Sequence, residues 1–350
     1  MKNKILSEII KDTKKLISFK TIKENFQEFE KALDYVKKEL SNYFIREINV
    51  NGYKNLVISN TQDMELDVIF CAHIDVVPAE KYEAVEKKGK IFGRGSFDMK
   101  SQLAVIMSLL KNNKSDKNIA FIITSDEEIG GNCCKQIMKE YNAKLSVIPD
   151  AGKNFQLVVE EKGLLQVELK LNGITSHASE PYKGVNPILG LMELYYALLK
   201  KYKMPHDEND FITSINLSKI SGGDANNMVP SVASMVLDIR FTKEITIDKL
   251  IKEIKSINSN VQVSILDQGP VFQVDGELPI IKKFINDAST VLGRDIEIKK
   301  CVATSDAIYF SEKGIPTIMM NPVGDYWHGP DEYVEIDCLY KLYEVFKTLL

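Results

Sequence analysis

Between residues 66 and 150, short apolar runs alternate with segments of helical period. LDVIFCA from Leu66, NIAFIIT from Asn118 and LSVIPD from Leu145 are rich in Val, Ile and Phe, while QLAVIMSLLK and the stretch around CCKQIMKEY carry apolar residues at helical spacing. Such runs, separated by helices, predict a mostly parallel sheet covered on both faces. Functional groups in these sheets gather at the carboxyl ends of the strands. AHID, TSDEE and PD follow the three runs, so polar groups stand at three successive strand ends, which core packing does not explain.

After Gly163 the pattern changes. LLQVELKLNG puts Val167, Leu169 and Leu171 on one face and Gln166, Glu168 and Lys170 on the other, the alternation of an antiparallel sheet with one solvated side. A helix at NPILGLMELYYALLKKY, strands at FITSINLSKI and ASMVLDIRF, a helix at IDKLIKEIKSI and a strand at VQVSIL complete this section. From Leu278, helix LPIIKKFINDASTVL, strand DIEIKK, helix SDAIYFSEK and strand PTIMM return to the first pattern. The expected fold is therefore α/β. A discontinuous catalytic domain, residues 1–162 and 269–350, has a mostly parallel sheet sandwiched by helices, and residues 163–268 form an inserted α+β domain.

Composition narrows the function classes. At 350 residues the chain suits two domains at about 100–200 residues each, and 44% hydrophobic with 27% charged residues is ordinary for a globular protein. No apolar run reaches bilayer length, and the first twenty residues lack the continuous apolar stretch of a signal peptide. The net charge of −4 has both signs interspersed, so neither nucleic acid nor a membrane is an expected partner. Five cysteines, an odd number without a C-x-x-C pair, suit reduced thiols and a cytoplasmic location.

The candidate chemistry lies in the loops. AHIDVVP places His73 and Asp75 two apart at a strand end, so both can project to one side. Imidazole is a good ligand for zinc-type metals, and a carboxylate at Asp75 could fix its second nitrogen. In FGRGSFDMK, Asp98 stands just before a helix, where a lone carboxylate is more often a cap than a ligand. TSDEEIGG packs Asp126, Glu127 and Glu128 together behind an apolar strand. Adjacent carboxylates repel, and a cation would neutralise them. Asp150 in VIPDAG offers another oxygen, and NPVGDYWHGPDEYV offers His328, one of only four histidines. Two imidazoles and three carboxylates suffice for two metals about 3.5–4 Å apart sharing one carboxylate.

In this order, over nearly the whole chain, these segments resemble the clan of co-catalytic zinc metallopeptidases. That clan includes acetylornithine deacetylase, succinyl-diaminopimelate desuccinylase, aminoacylase, carboxypeptidase G and bacterial dipeptidases. The resemblance implies His73 and Asp150 on one metal, Glu128 and His328 on the other, Asp98 bridging, Glu127 as general base and Asp75 orienting His73. It implies a homodimer through the inserted domain. His177 in GITSHAS would then donate to the oxyanion, often in the other subunit's site. GGDANNMVP, LDIRF and ATSDAIYF resemble substrate-contacting segments, giving Asn227, Arg240 and Thr304, although Ala303 replaces a glycine common among relatives. Arg240 would suit a substrate carboxylate.

The implied reaction is amide hydrolysis in a small peptide or N-acyl amino acid with two divalent ions. The nitrogen and oxygen ligand set leaves zinc, cobalt and manganese open. Deacylases and carboxypeptidases of this clan usually carry Glu at position 150, and dipeptidases and aminopeptidases Asp. The expectation is therefore a dipeptidase or short-peptide exopeptidase. An N-acyl-amino-acid deacylase of the acetylornithine or succinyl-diaminopimelate type is the alternative, favoured by the compact length. A non-catalytic binding relative is disfavoured, because all seven expected positions are filled.

Overall fold

The three apolar runs form the strands Glu65–His73, Ile119–Thr124 and Asn142–Val147, in a computed structural model that describes residues 2–207 and 210–350. Glu65–His73 lies between the other two and runs parallel to both, and Thr317–Ile318 adds in parallel beyond Asn142–Val147. Tyr53–Ser59 pairs antiparallel with Ile119–Thr124, and Phe44–Val50 closes that edge as a hairpin. The sheet is thus mixed and mostly parallel. Every residue of Ile119–Thr124 is buried, as an interior strand covered on both faces requires.

Helices Lys2–Ile17, Lys100–Lys111 and Ile336–Lys347 pack on one another, and Pro279–Leu292 packs on the last of them. Phe26–Glu39 lies against Tyr53–Ser59. Lys2–Ile17 presents Ile5, Ile9, Leu16 and Ile17 to the core. Its carboxyl end and Lys100–Lys111 are joined by a buried lysine: Lys100 Nζ donates to the Phe19 carbonyl at 2.8 Å. The helix expected around CCKQIMKEY is a short one, Asn132–Ile137.

Contacts divide the chain into two units. One comprises residues 1–160, 273–299 and 305–350, the other residues 161–272 and 300–304. The second unit is built on a four-stranded antiparallel sheet in the order Ser214–Gly222, Val232–Phe241, Gly163–Asn172, Gln262–Gly269. Alternate residues Leu165, Val167, Leu169 and Leu171 are buried, and they meet Leu191, Leu194 and Leu198 of helix Pro187–Lys201 and Leu250 and Ile254 of helix Ile247–Ile257. Both helices start on a side-chain cap: Asn186 accepts from the Ile188 amide, and Thr246 from that of Lys249. Among the described residues no helix is long and apolar enough to cross a membrane.

Candidate functional site

The carboxyl ends of the three parallel strands bring five of the expected residues together in the first unit. His73 ends its strand almost fully buried, with Nδ1 3.0 Å from the Asp75 carbonyl and 3.5 Å from the nearer Asp75 carboxylate oxygen. With Nδ1 carrying its proton towards Asp75, Nε2 presents a lone pair. Asp98 Oδ1 lies 3.0 Å from this nitrogen, Asp150 3.7 Å and Glu127 4.0 Å. The other oxygen of Asp98 lies 3.2 Å from His328 Nε2, which is 3.0 Å from Glu128. One carboxylate therefore faces two imidazoles, one with each oxygen. His73, Asp98 and Glu128 form one group able to hold a metal, and His73, Glu127 and Asp150 another.

The local structure explains this convergence. Helix Lys100–Lys111 has Met99 at its N-cap and makes no side-chain capping bond, so Asp98 is free of the capping role open to it on sequence alone. The Asp98–Met99 peptide bond is cis. Gly95 has φ +83°, and a Cβ there would lie 2.9 Å from Lys100 Cδ, so the tight turn before Asp98 requires glycine. The acidic trio divides its work. Asp126 turns away and accepts the Cys133 amide at 3.0 Å, while Glu127 and Glu128 enter a 3-10 turn whose amides donate to the Asp75 carboxylate at 3.3 and 2.9 Å. Asp75 thus holds both His73 and the turn that carries the two glutamates.

Electrostatics mark the cluster as short of positive charge. Burial, and then the neighbouring Asp150 carboxylate, push Glu127 well above the ordinary glutamate range. Burial also raises Asp150, to about 6, against the opposing pull of the nearby His73 imidazole. Burial would lower His73, but the carboxylates of Asp150, Asp75 and Asp98 around it outweigh this and hold the imidazole well above its usual value. Hydrogen bonds to Asp98 and Glu128 push His328 up to about 10. Five carboxyl groups, at Asp75, Asp98, Glu127, Glu128 and Asp150, thus share two imidazoles, and protons are drawn in where a cation would serve.

The remaining expected residues belong to the second unit. His177 is exposed, with Nδ1 2.7 Å from Ser179 Oγ, and Asn227 is exposed, its carbonyl accepting the Ala178 amide. Arg240 and Thr304 meet: Arg240 pairs with Asp238 at 2.8 Å and donates to Thr304 Oγ1 at 3.4 Å, and that hydroxyl donates to the Lys162 carbonyl.

Two buried features lie outside the expected set of site residues. Asp306 accepts the Thr124 hydroxyl at 3.0 Å and gathers with Cys71 and Cys134. Burial keeps the Cys134 thiol well above its ordinary pKa, so it packs as a neutral small side chain. Lys100 is wholly buried, which pulls its pKa down to about 7. Its place between an aspartate and an apolar helix was the only signal, and a weak one.

Residues 69–350 match the model of Peptidase family M20/M25/M40. The chain belongs to this family. It is accordingly a metal-dependent hydrolase of amide bonds in small substrates, and its fold is the one seen in solved members. It is 25% identical over 356 residues to the succinyl-diaminopimelate desuccinylase of Sulfurovum sp. (strain NBC37-1), covering 96% of each chain. Among solved structures it resembles aminopeptidase PepT from Bacillus cereus ATCC 10987, with a TM-score of 0.79, 20% identity and 98% and 97% of the two chains covered. It also resembles a tripeptidase from Staphylococcus aureus, with a TM-score of 0.80 and 20% identity over 98% of each chain.

Proposed function

We propose that this M20-family chain is a two-ion hydrolase of short peptides, with His73 and Asp150 on one ion, Glu128 and His328 on the other and Asp98 between them. The observation that carries this reading is Asp98, whose two oxygens face different imidazoles at 3.0 and 3.2 Å. The donor set fits such ions. Glu128 Oε1 is buried with no hydrogen-bond partner among the described residues, an acceptor that a cation would satisfy. Thiolates are absent from both groups, which suits zinc, cobalt or manganese on nitrogen and oxygen.

Divalent ions, when bound, supply the acidity of an attacking water and polarise the substrate carbonyl. The chain's own residues provide the proton handling. Glu127 is partly buried beside Asp150, so its carboxyl can hold a proton taken from water and pass it to the leaving amine. Asp75 fixes the His73 tautomer through Nδ1 and anchors the Glu127 amide, so ligand and base keep one geometry. We assign His177 to the oxyanion and Asn227, Arg240 and Thr304 to the substrate on the resemblance of their segments. The Arg240–Thr304 contact supports a joint role for that pair.

Asp at position 150 supports peptides as substrates. The second reading, an N-acyl-amino-acid deacylase, is supported by full-length similarity to proteins named succinyl-diaminopimelate desuccinylase. A homodimer through the second unit is supported by its exposed Leu189, Tyr196 and Ile220. Five cysteines, an odd number without a C-x-x-C pair, fit a reducing cytoplasm. The test is a panel of di- and tripeptides and N-acetyl and N-succinyl amino acids, with zinc, cobalt and manganese compared. Faster turnover of peptides is expected. Hydrolysis of the acylated amino acids alone would establish the second reading, and no turnover of either class under any metal would overturn both.

A further inference from the structure

The loops that carry Asp98 and His328 are tied together from behind by one buried ion pair. Strand Tyr333–Glu335 runs antiparallel to Lys90–Phe92, and this register brings Glu332 beside the turn leading to Asp98. Glu332 is 1% exposed and accepts four hydrogen bonds. Oε2 takes Arg94 Nη1 at 2.6 Å and the Gly95 amide at 3.1 Å, and Oε1 takes the Phe97 and Asp98 amides at 2.9 and 3.0 Å. Arg94, itself 6% exposed, turns its other terminal nitrogen to the His328 carbonyl at 2.8 Å.

A buried ion pair is weak evidence for stability, because desolvation offsets most of its attraction. This one is spent on the backbones of two candidate ligands. His328 has φ +61°, a left-handed conformation that is strained for a non-glycine residue and persists only where surrounding contacts hold it. Arg94 holds the carbonyl of that very residue. We propose that Arg94 and Glu332 are positioning residues of the metal centre, Glu332 fixing the backbone of Asp98 and Arg94 that of His328, so that the pair sets the spacing of the two ion sites. The inference rests on the ligand assignment made above.

The full chain, freed of metal by chelation, is titrated with Co(II) by calorimetry and visible absorption, alongside Arg94→Met, Glu332→Gln and the double variant R94M/E332Q. Wild type is expected to bind two ions. Arg94→Met should weaken one of them by about ten- to hundred-fold, the usual effect of losing a ligand's supporting hydrogen bond. The other ion should stay within about threefold of wild type, and the absorption band of the weakened site should change. The double variant leaves no unpaired buried charge. Its glutamine oxygen can still accept from the Asp98 amide, so it should reproduce the one-site loss even where a single variant fails to fold. A purely structural pair would lower the melting temperature of the metal-free chain and leave both affinities and the cobalt spectrum unchanged. That result would overturn the clamp alone. Fewer than two ions on wild type would overturn the ligand assignment, and the clamp with it.

Discussion

Replacing Glu127 with glutamine removes a proton acceptor while sparing the architecture around it. The side chain keeps its size, and the backbone amide still donates to Asp75. Glu127 lies at the margin of the His73 and Asp150 group, 4.0 Å from His73 Nε2, against 3.0 Å for Asp98. Loss of its charge also relieves repulsion on Asp150, the neighbour that raises Glu127 most after burial itself. Ion binding should therefore survive, and kcat should fall by about 10²–10⁴, the usual contribution of a positioned general base. That corresponds to about 2.7–5.5 kcal/mol on the barrier. Initial rates at saturating metal, read beside metal content by mass spectrometry, separate the two effects. A kcat within about threefold of wild type would refute Glu127 as the base, and loss of an ion would make it a ligand instead.

Three further outcomes are expected. His177→Ala should lower kcat without loss of metal, and mixing it with an Asp98 variant should restore part of the activity if a dimer shares its sites; no recovery would argue against sharing. Gly131→Ala should lower the melting temperature by about 2–8 °C, from about 1–2 kcal/mol of left-handed backbone cost. Gly131 has φ +62°, and a Cβ there would lie 2.6 Å from Asp306 Oδ1; an unchanged melting temperature would show that this turn relaxes freely. In the metal-free chain the hydrogen bonds to Asp98 and Glu128 hold His328 protonated up to about pH 10. Stability from this pairing is complete below the ordinary histidine value near 6.5 and is lost as pH rises through about 10. An ion bound through His328 Nε2 must displace that proton, so calorimetry at pH 7 in buffers of different ionisation enthalpy should show proton release, with affinity rising with pH; binding independent of pH would remove His328 from the ligand set.

Much of the framework is legible in the chain because periodicity reports burial directly. The run IAFIIT is apolar throughout and is buried at every position. Alternation in LLQVELKLN matches the alternating burial of its strand. Helix Lys2–Ile17 has Ile5, Ile9 and Leu16 at helical spacing, although no element was expected there. The division of labour in the acidic trio was not legible. Asp126, Glu127 and Glu128 are consecutive and chemically alike, and their directions are decided by partners elsewhere: the Cys133 amide captures the first, and the Asp75 carboxylate sets the turn that aims the others.

A single rule separates what the sequence could reveal about the site from what it could not. A carboxylate before a helix or at a strand end has a local use, and the chain alone cannot say whether that use is taken. Asp126 takes it, bound to a backbone amide. Asp98 does not, since its helix has Met99 at the N-cap and no side-chain cap, and its oxygens are left facing imidazoles that the fold delivers from residues 73 and 328. Glu128 goes further, with Oε2 on His328 and the buried Oε1 without a partner among the described residues. Polar groups excluded from local bonding and buried together are costly unless something neutralises them. This shared lack of local partners, more than the number of acidic residues nearby, is what supports the proposal of an ion site over a solvated acidic loop.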